Sequence, residues 1–459
     1  MKARLFRDKI YIVLSEKEWA GYMRKRKNRD RGRWAALFRS CRLRLALLAV
    51  VAVSEGAVAV TVGAGGFPDE GIRAGAGNEV EQTVAELKIP RGKIQENSRP
   101  EENGTEIRIA MVGDVILHEA VYESCYENGS YDFSGLFANI SGELQQMDIA
   151  VANQETILGG QELGISGYPE FNSPYEEADA LAEAGFNVIL SATNHALDAG
   201  ADGVENTLEY WKDKYPETGV LGIQKSGASE RDIYVYEKDG FRVAILNYTY
   251  GTNINESLLE EPGTQFLVNT LEEEAVREDV RKAKELADFV IVCPHWGTEN
   301  SVEISEEQKD WTEIFLSSGV DLVIGTHPHV IQKMETVTDG LGNEMLVYYS
   351  LGNCVSNQKA AMNAVGAMAE VTIRKDDSGV HVDEASVKPL VTHKAPDGSF
   401  TAYFLDEYTE KLAEENTIRT TDESFSLAYC RQLWNRVFEE PDGEAAPTEK
   451  NGVLFADQA

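Results

Sequence analysis

The stretch Val188-Ile189-Leu190-Ser191-Ala192-Thr193-Asn194-His195-Ala196-Leu197-Asp198 decides how this 459-residue chain folds. It begins as an apolar run of strand character, turns through small polar residues, and leads into an amphipathic segment at Ala201–Trp211. A strand that ends in Asn-His and hands over to a helix is the signature of an α/β unit. Such a unit delivers polar side chains to one edge of a sheet. The pattern recurs along the chain. Apolar runs at Ile107–Val112, Ile149–Ala152, Val243–Leu246, Phe289–Val292, Leu322–Ile324 and Leu346–Tyr349 alternate with helical segments at Glu176–Ala184, Leu271–Ala287 and Ser305–Ser317. The expected fold class is therefore α/β with a largely central sheet. After Gly366 the pattern turns strand-like without helices, at Met368–Ile373 and Val380–Leu390, and a last helix is expected over Ser424–Val437.

Four more strand ends carry the same polar chemistry. They read Gly113-Asp114 with His118, Asn153-Gln154-Glu155, Cys293-Pro294-His295-Trp296-Gly297, and Gly325-Thr326-His327-Pro328-His329. Asp114 offers a hard oxygen, although Asp after a strand also serves as a helix cap. Glu155 has two oxygens with which to bridge neighbouring cations. His327 and His329, at i and i+2 in an extended stretch stiffened by Pro328, are expected to point to different sides and serve two sites. Asn194 offers a carbonyl oxygen. His195 beside it reads as a proton donor, with Asp198 three residues on to fix its tautomer. Glu299 reads as a hydrogen-bond acceptor for His295, and His393 receives no role. Asp114, Glu155, Asn194, His295, His327 and His329 thus make a mixed O/N donor set without thiolate. That composition suits two divalent cations of the Mn, Fe or Zn class. The five cysteines show no CxxC pair and suggest no zinc finger.

Charge separates the chain into parts. The net charge is −34, yet residues 1–44 carry fifteen Lys/Arg against four Asp/Glu, so the remainder stands at −45. So acidic a body excludes broad nucleic-acid binding, which needs basic surface. Leu45–Gly63 is apolar apart from Glu55 and spans about 28 Å as a helix, enough to cross a bilayer. The basic residues before it place the N-terminus in the cytoplasm and the body outside; a cleaved signal peptide is the alternative. The expected organisation is a basic cytoplasmic segment at 1–44, a transmembrane anchor at 45–65, and a flexible linker at 66–105. A folded domain at 106–437 and a disordered acidic tail at 438–459 complete it.

The series GDVILH (113–118), NQET (153–156), ATNHALD (192–198), PHWGTE (294–299), GTHPHVIQ (325–332) and YYSLGNCVSNQ (348–358) resembles the CapA-type capsule-biosynthesis proteins. These are linked to poly-γ-glutamate synthesis and export, and are in turn similar to calcineurin-like metallophosphatases. The resemblance covers residues 107–393. It implies a four-layer α/β/β/α sandwich preceded by one transmembrane helix, and a dinuclear metal site ligated by Asp114, Glu155, Asn194, His295, His327 and His329. It also implies that His195 is the proton donor, supported by Asp198. The partners implied are an anionic capsular polymer or phosphoester substrate, the membrane, and a capsule-synthesis complex. A non-catalytic metal-binding accessory role and a general metallophosphodiesterase are the alternatives. Three positions depart from what the resemblance implies, the first two from the metallophosphatase pattern and the third from the capsule-biosynthesis family's own. His118 follows Asp114 by four residues rather than two, Glu155 stands where Asp is usual, and Cys354 stands where an aromatic is common.

Overall fold

The computed structural model describes residues 2–6, 9–13, 104–340 and 342–438. The expected anchor at 45–65, most of the linker and the tail from residue 439 lie outside the described residues. Among the described residues no helix is long and apolar enough to cross a membrane. The chain divides into two units, one through Gln95 and one from Glu96. In the first, strands β1 (Lys2–Phe6) and β2 (Lys9–Val13) pair antiparallel.

The second unit is built on two mixed sheets. The larger contains β3 (Gly104–Val115), β6 (Ile149–Gln154), β7 (Val188–Leu190) and β8 (Gly219–Leu221) in parallel. It is extended antiparallel from β3 by β16 (Val365–Asp376), β17 (Gly379–Lys394) and β18 (Phe400–Phe404). The six-stranded sheet runs β13-β14-β12-β11-β10-β9. Its parallel centre is β10 (Phe241–Thr249), β11 (Phe289–His295), β12 (Leu322–Ile324) and β14 (Glu344–Leu351). Antiparallel edges are supplied by β9 (Tyr234–Lys238) and β13 (Ile331–Thr338). A small hairpin, β4 (Tyr126–Glu127) and β5 (Ser130–Tyr131), stands apart.

Alternation along the strands explains the packing. Ile107, Ile109 and Met111 of β3 share one core with Val243 and Ile245 of β10 and Ile291 of β11, so the two sheets lie face to face. The intervening residues turn outward. Ala110 and Val112 pack beneath helices that include α1 (Glu119–Ser124), α2 (Ser141–Leu144) and α3 (Glu176–Ala184). Trp211 of α4 (Gly200–Lys214) joins this layer. Val290, Val292 and Val323 pack beneath α5 (Glu273–Leu286) and α6 (Glu306–Ser318), where Ser305 and Gln308 form a capping box. Because both faces of each central strand are covered, these strands read in the sequence as continuous apolar runs.

The α/β expectation agrees with this architecture, with three corrections. The linker ends earlier than 105, because Gly104 and Thr105 pair with Asp376 and Lys375 across β16. The segment after Gly366 is not free of helix before the last one, since α7 (Glu410–Glu415) precedes α8 (Leu427–Phe438) and is capped by Thr409. The third concerns strand β15 (Asn353–Val355), which sequence alone does not suggest. It follows β14 after one residue, Gly352, yet pairs with β3 of the other sheet. Gly352 makes that crossing with φ of +62°, a conformation natural to glycine.

Candidate metal centre

Each polar strand end lies at the carboxyl edge of a parallel strand, which is why the two sheets bring them to one place. Asp114 is the penultimate residue of β3, Glu155 follows β6, and Asn194 and His195 follow β7. From the facing sheet come His295, the last residue of β11, and His327 and His329 after β12. A parallel bridge between His295 and Thr326 ties those two strand ends together. Asp114, Glu155, Asn194 and His295 are at most 1 % exposed.

The donor atoms converge in two overlapping groups. His295 Nε2 lies 2.8 Å from Asn194 Oδ1, 3.2 Å from His327 Nδ1 and 4.0 Å from Glu155 Oε1. With the His295 proton on Nδ1, toward Thr326 Oγ1 at 3.0 Å, that Nε2 is a lone pair among other acceptors. The second group joins His329 to Asp114 Oδ2 at 3.0 Å (through Nδ1) and to Glu155 Oε1 at 3.7 Å (through Nε2). Glu155 therefore stands between the groups, and its buried Oε2 has no hydrogen-bond partner. Glu299 is placed with His327 and His329 rather than with His295, which corrects the expectation that it accepts from His295.

Electrostatics are those of a site short of positive charge. Burial pushes the Glu155 carboxyl well up; His329 pulls it back and Asp114 pushes it further. Burial alone would lower His329, but the carboxylates of Glu155 and Asp114 outweigh it and hold the ring up at about 9. Burial, then the His329 and His195 charges, press His327 down to about 3, and burial with the neighbouring imidazoles also presses His295 well down. Neutral His295 and His327, an amide oxygen and buried carboxylates facing one another make a donor set that fits a hard-to-borderline divalent cation.

The turn carrying His327 and His329 is not the extended stretch expected. Both residues have positive φ, +98° and +58°. The chain doubles back so that the His327 N–H faces Asp114 Oδ1 and Oδ2 at 3.4 and 3.3 Å, and both rings face the cluster. Local strain of this kind persists only where surrounding contacts over-determine it.

Beside the cluster, His195 Nδ1 lies 2.6 Å from Asp198 Oδ2, which also accepts the Phe171 N–H at 2.7 Å. The Phe171 ring meets His195 edge-on at 4.7 Å, and Asn253 Nδ2 lies 3.4 Å from His195 Nε2. His118 is not among the converging donors; its Nδ1 accepts the Asn357 N–H at 3.2 Å. His393 lies 2.8 Å from the Tyr408 hydroxyl, away from the cluster.

Four positioning residues escape a reading of the sequence. Asn153 Nδ2 donates to Asp114 Oδ1 at 2.8 Å, and Thr326 meets His295. Asn353 Oδ1 lies 3.2 Å from His329 Nδ1, while the two hydrogens of its amide nitrogen are shared among Ser356 Oγ, Gln358 Oε1 and two backbone carbonyls within 3.3 Å. Phe171 is the fourth. A buried amide two residues before Glu155 in a polar strand end is the signal that could have found Asn153, while Asn353 becomes visible only once β15 is seen to cross sheets.

A family profile described as "Bacterial capsule synthesis protein PGA_cap" matches residues 108–358. The capsule biosynthesis protein CapA of Bacillus anthracis is 26 % identical over 301 residues, covering 62 % of this chain and 70 % of that protein. The PGA biosynthesis protein CapA of Bacillus subtilis is 26 % identical over 290 residues, covering 62 % and 72 %. Among solved structures, a phosphatase of Mycoplasma pneumoniae aligns with 63 % of this chain and 94 % of its own (16 % identity, TM-score 0.39). The calcineurin-like phosphoesterase YfkN of Bacillus subtilis aligns with 62 % and 91 % (14 % identity, TM-score 0.37). With more than half its length matched by the profile, and with every converging strand end inside the match, the chain belongs to the bacterial capsule synthesis protein PGA_cap family.

Proposed function

We propose that the protein is a metal-dependent hydrolase of the metallophosphatase type, with a four-layer sandwich, acting on an anionic capsular polymer outside the membrane. The observation that carries this reading is the convergence of Asn194 Oδ1, His295 Nε2, His327 Nδ1 and Glu155 Oε1 beside the His195–Asp198 pair. Asn194, His295, His327 and Glu155 would hold one divalent cation, and Asp114, Glu155 and His329 the other. Such a cation pair, when bound, supplies an activated water and neutralises charge developing on the group being cleaved.

The protein's own residues supply the rest. Asp198 accepts from His195 Nδ1 and fixes the tautomer and angle of the ring, leaving Nε2 to carry a proton to a departing oxygen or nitrogen. Phe171 shields one edge of that imidazole from water. Tyr250, 40 % exposed with its ring 4.7 Å from that of His327, forms part of the mouth.

The test uses the full chain, wild type and His195→Ala, with metal content measured first. Hydrolysis of bis-p-nitrophenyl phosphate and of poly-γ-glutamate is then followed. Two divalent ions per chain, with turnover falling about 10²–10⁴-fold in His195→Ala, is the expected result. Full metal content with no turnover of either substrate would reduce the protein to a metal-bearing accessory of polymer export. Turnover of the phosphodiester alone would make it a general phosphodiesterase. Unchanged metal stoichiometry after combined His327→Ala and His329→Ala would remove the ligand assignment.

The proposed location rests on the fifteen basic residues before the apolar run at 45–65 and on the acidic body after it. Protease added to intact cells is expected to digest the body and spare the first 44 residues. Protection of the body would reverse the orientation.

A further inference from the structure

Lys394, the last residue of β17, is 6 % exposed in a body otherwise rich in acid. Its Nζ donates to the Gln358 carbonyl. Burial lowers this ammonium to about 7, and no carboxylate among the described residues draws it back up. A buried cation without a counter-ion is costly, and an arriving anion relieves that cost.

The surroundings connect Lys394 to the candidate metal centre. Gln358 Oε1 accepts from Asn353 Nδ2 at 2.8 Å, and Asn353 Oδ1 lies 3.2 Å from His329 Nδ1. One residue back, the Asn357 N–H donates to His118 Nδ1, so neutral His118 carries its proton on Nε2. Burial, with the charges of Lys394 and His329, keeps that ring neutral, near 4. The His118 ring meets Phe171 at 5.4 Å, and Phe171 meets His195 at 4.7 Å. His118 thus stands between the buried lysine, the cluster and the proton donor, and is itself half-buried. On the other side, Glu299 is exposed beside His327 and His329, and the Tyr250 hydroxyl is pushed up to about 12 by burial, Glu299, Glu155 and Glu307. Glu299 thus brings acid to the cluster, while Lys394 and His118 bring N–H groups that no carboxylate among the described residues pairs.

We propose that Lys394 and His118 form a carboxylate-binding subsite beside the metal centre, holding an acidic side group of the substrate while its neighbouring bond faces His195. One ammonium and one imidazole N–H match the two oxygens and single charge of a carboxylate. A phosphate dianion would bring a second charge that neutral His118 does not meet. The subsite rests on reading the adjoining cluster as the reaction centre, but its test does not require turnover.

Glutarate is titrated calorimetrically into the full chain, with and without Mn²⁺, for wild type, Lys394→Met and Lys394→Arg. Inorganic phosphate serves as the competing anion. Glutarate is expected to bind the wild type about tenfold or more tightly than Lys394→Met, and Lys394→Arg to keep most of the affinity. Glutarate should bind the wild type whether or not Mn²⁺ is present, and phosphate should compete weakly. Lys394→Met loses a buried charge and is expected to melt no lower than the wild type, which separates lost binding from lost fold. Equal glutarate affinity in wild type and Lys394→Met overturns the subsite. So does absence of glutarate binding by the wild type, or binding only with Mn²⁺ present, which would put the anion on the cations. A failed hydrolysis assay with glutarate binding still dependent on Lys394 would instead count against the reaction and spare the subsite.

Discussion

Gly113→Ala is expected to cost about 3 kcal/mol or more of stability and to reduce bound divalent metal together with it. A Cβ at this position would stand 1.9 Å from the Gly352 carbonyl oxygen, 2.8 Å from its carbon and 3.0 Å from the Leu351 oxygen. All three are backbone atoms, so no rotamer relieves the clash. Relief requires β3 and the β14–β15 crossing to separate, which breaks the Asp114 N–H to Gly352 carbonyl bond of 2.9 Å and shifts Asp114 itself. Urea midpoints and metal content for Gly113→Ala, with Gly142→Ala as control, measure both effects. Nothing lies within 4 Å of a Cβ on Gly142. A Gly113→Ala protein with wild-type midpoint and full metal content would show that the crossing is looser than described.

Glu177→Gln is expected to stabilise the protein, and increasingly so as pH rises. Glu177 lies on α3 with both carboxyl oxygens buried and without hydrogen-bond partners. Burial pushes its pKa from 4.5 up to about 8, only partly opposed by the nearby Ser173 and Thr156 hydroxyls. The sign follows from linkage. The folded state holds the proton more tightly than the unfolded chain, so the native state is fully favoured below pH 4.5. It loses stability progressively as pH climbs toward 8. The uncharged amide removes that loss. The gain has a ceiling of roughly 5 kcal/mol at pH 8 and is smaller after local relaxation. Urea midpoints at pH 5 and pH 8 decide the matter, because a gain equal at both values would come from packing rather than from the carboxyl.

Much of this architecture is legible in the sequence, for a physical reason. Strands covered on both faces must be apolar throughout, so Val188–Leu190 and Leu322–Ile324 coincide with their apolar runs, and Glu176–Ala184 with its helix. Strand β13 escapes because it is an edge, with Lys333 and Glu335 interrupting its apolar character. Strands β8 and β15 are three residues each and owe their pairing to tertiary contact rather than to composition. The site divides the same way. Asp114, Glu155, Asn194, His295, His327 and His329 announce themselves as polar residues at or beside strand ends, and the structure brings their donor atoms together. Asn153, Asn353 and Thr326 act through contacts made only after folding. The positive φ values at His327 and His329 were hidden because Pro328 between them reads as a residue that favours extension.

The passage of the chain from one sheet to the other at Gly352 has a consequence for how such a protein can diversify. The distance between the Asp114 side of the cleft and the His327–His329 side is set by a one-residue step in the interior, not by any surface segment. Exposed stretches such as 161–170 and 260–264 lie outside that step and can change length while the donor atoms keep their spacing. Such a fold keeps the spacing of its donor atoms independent of its surface, so the surroundings of the cluster can change while the cluster itself does not.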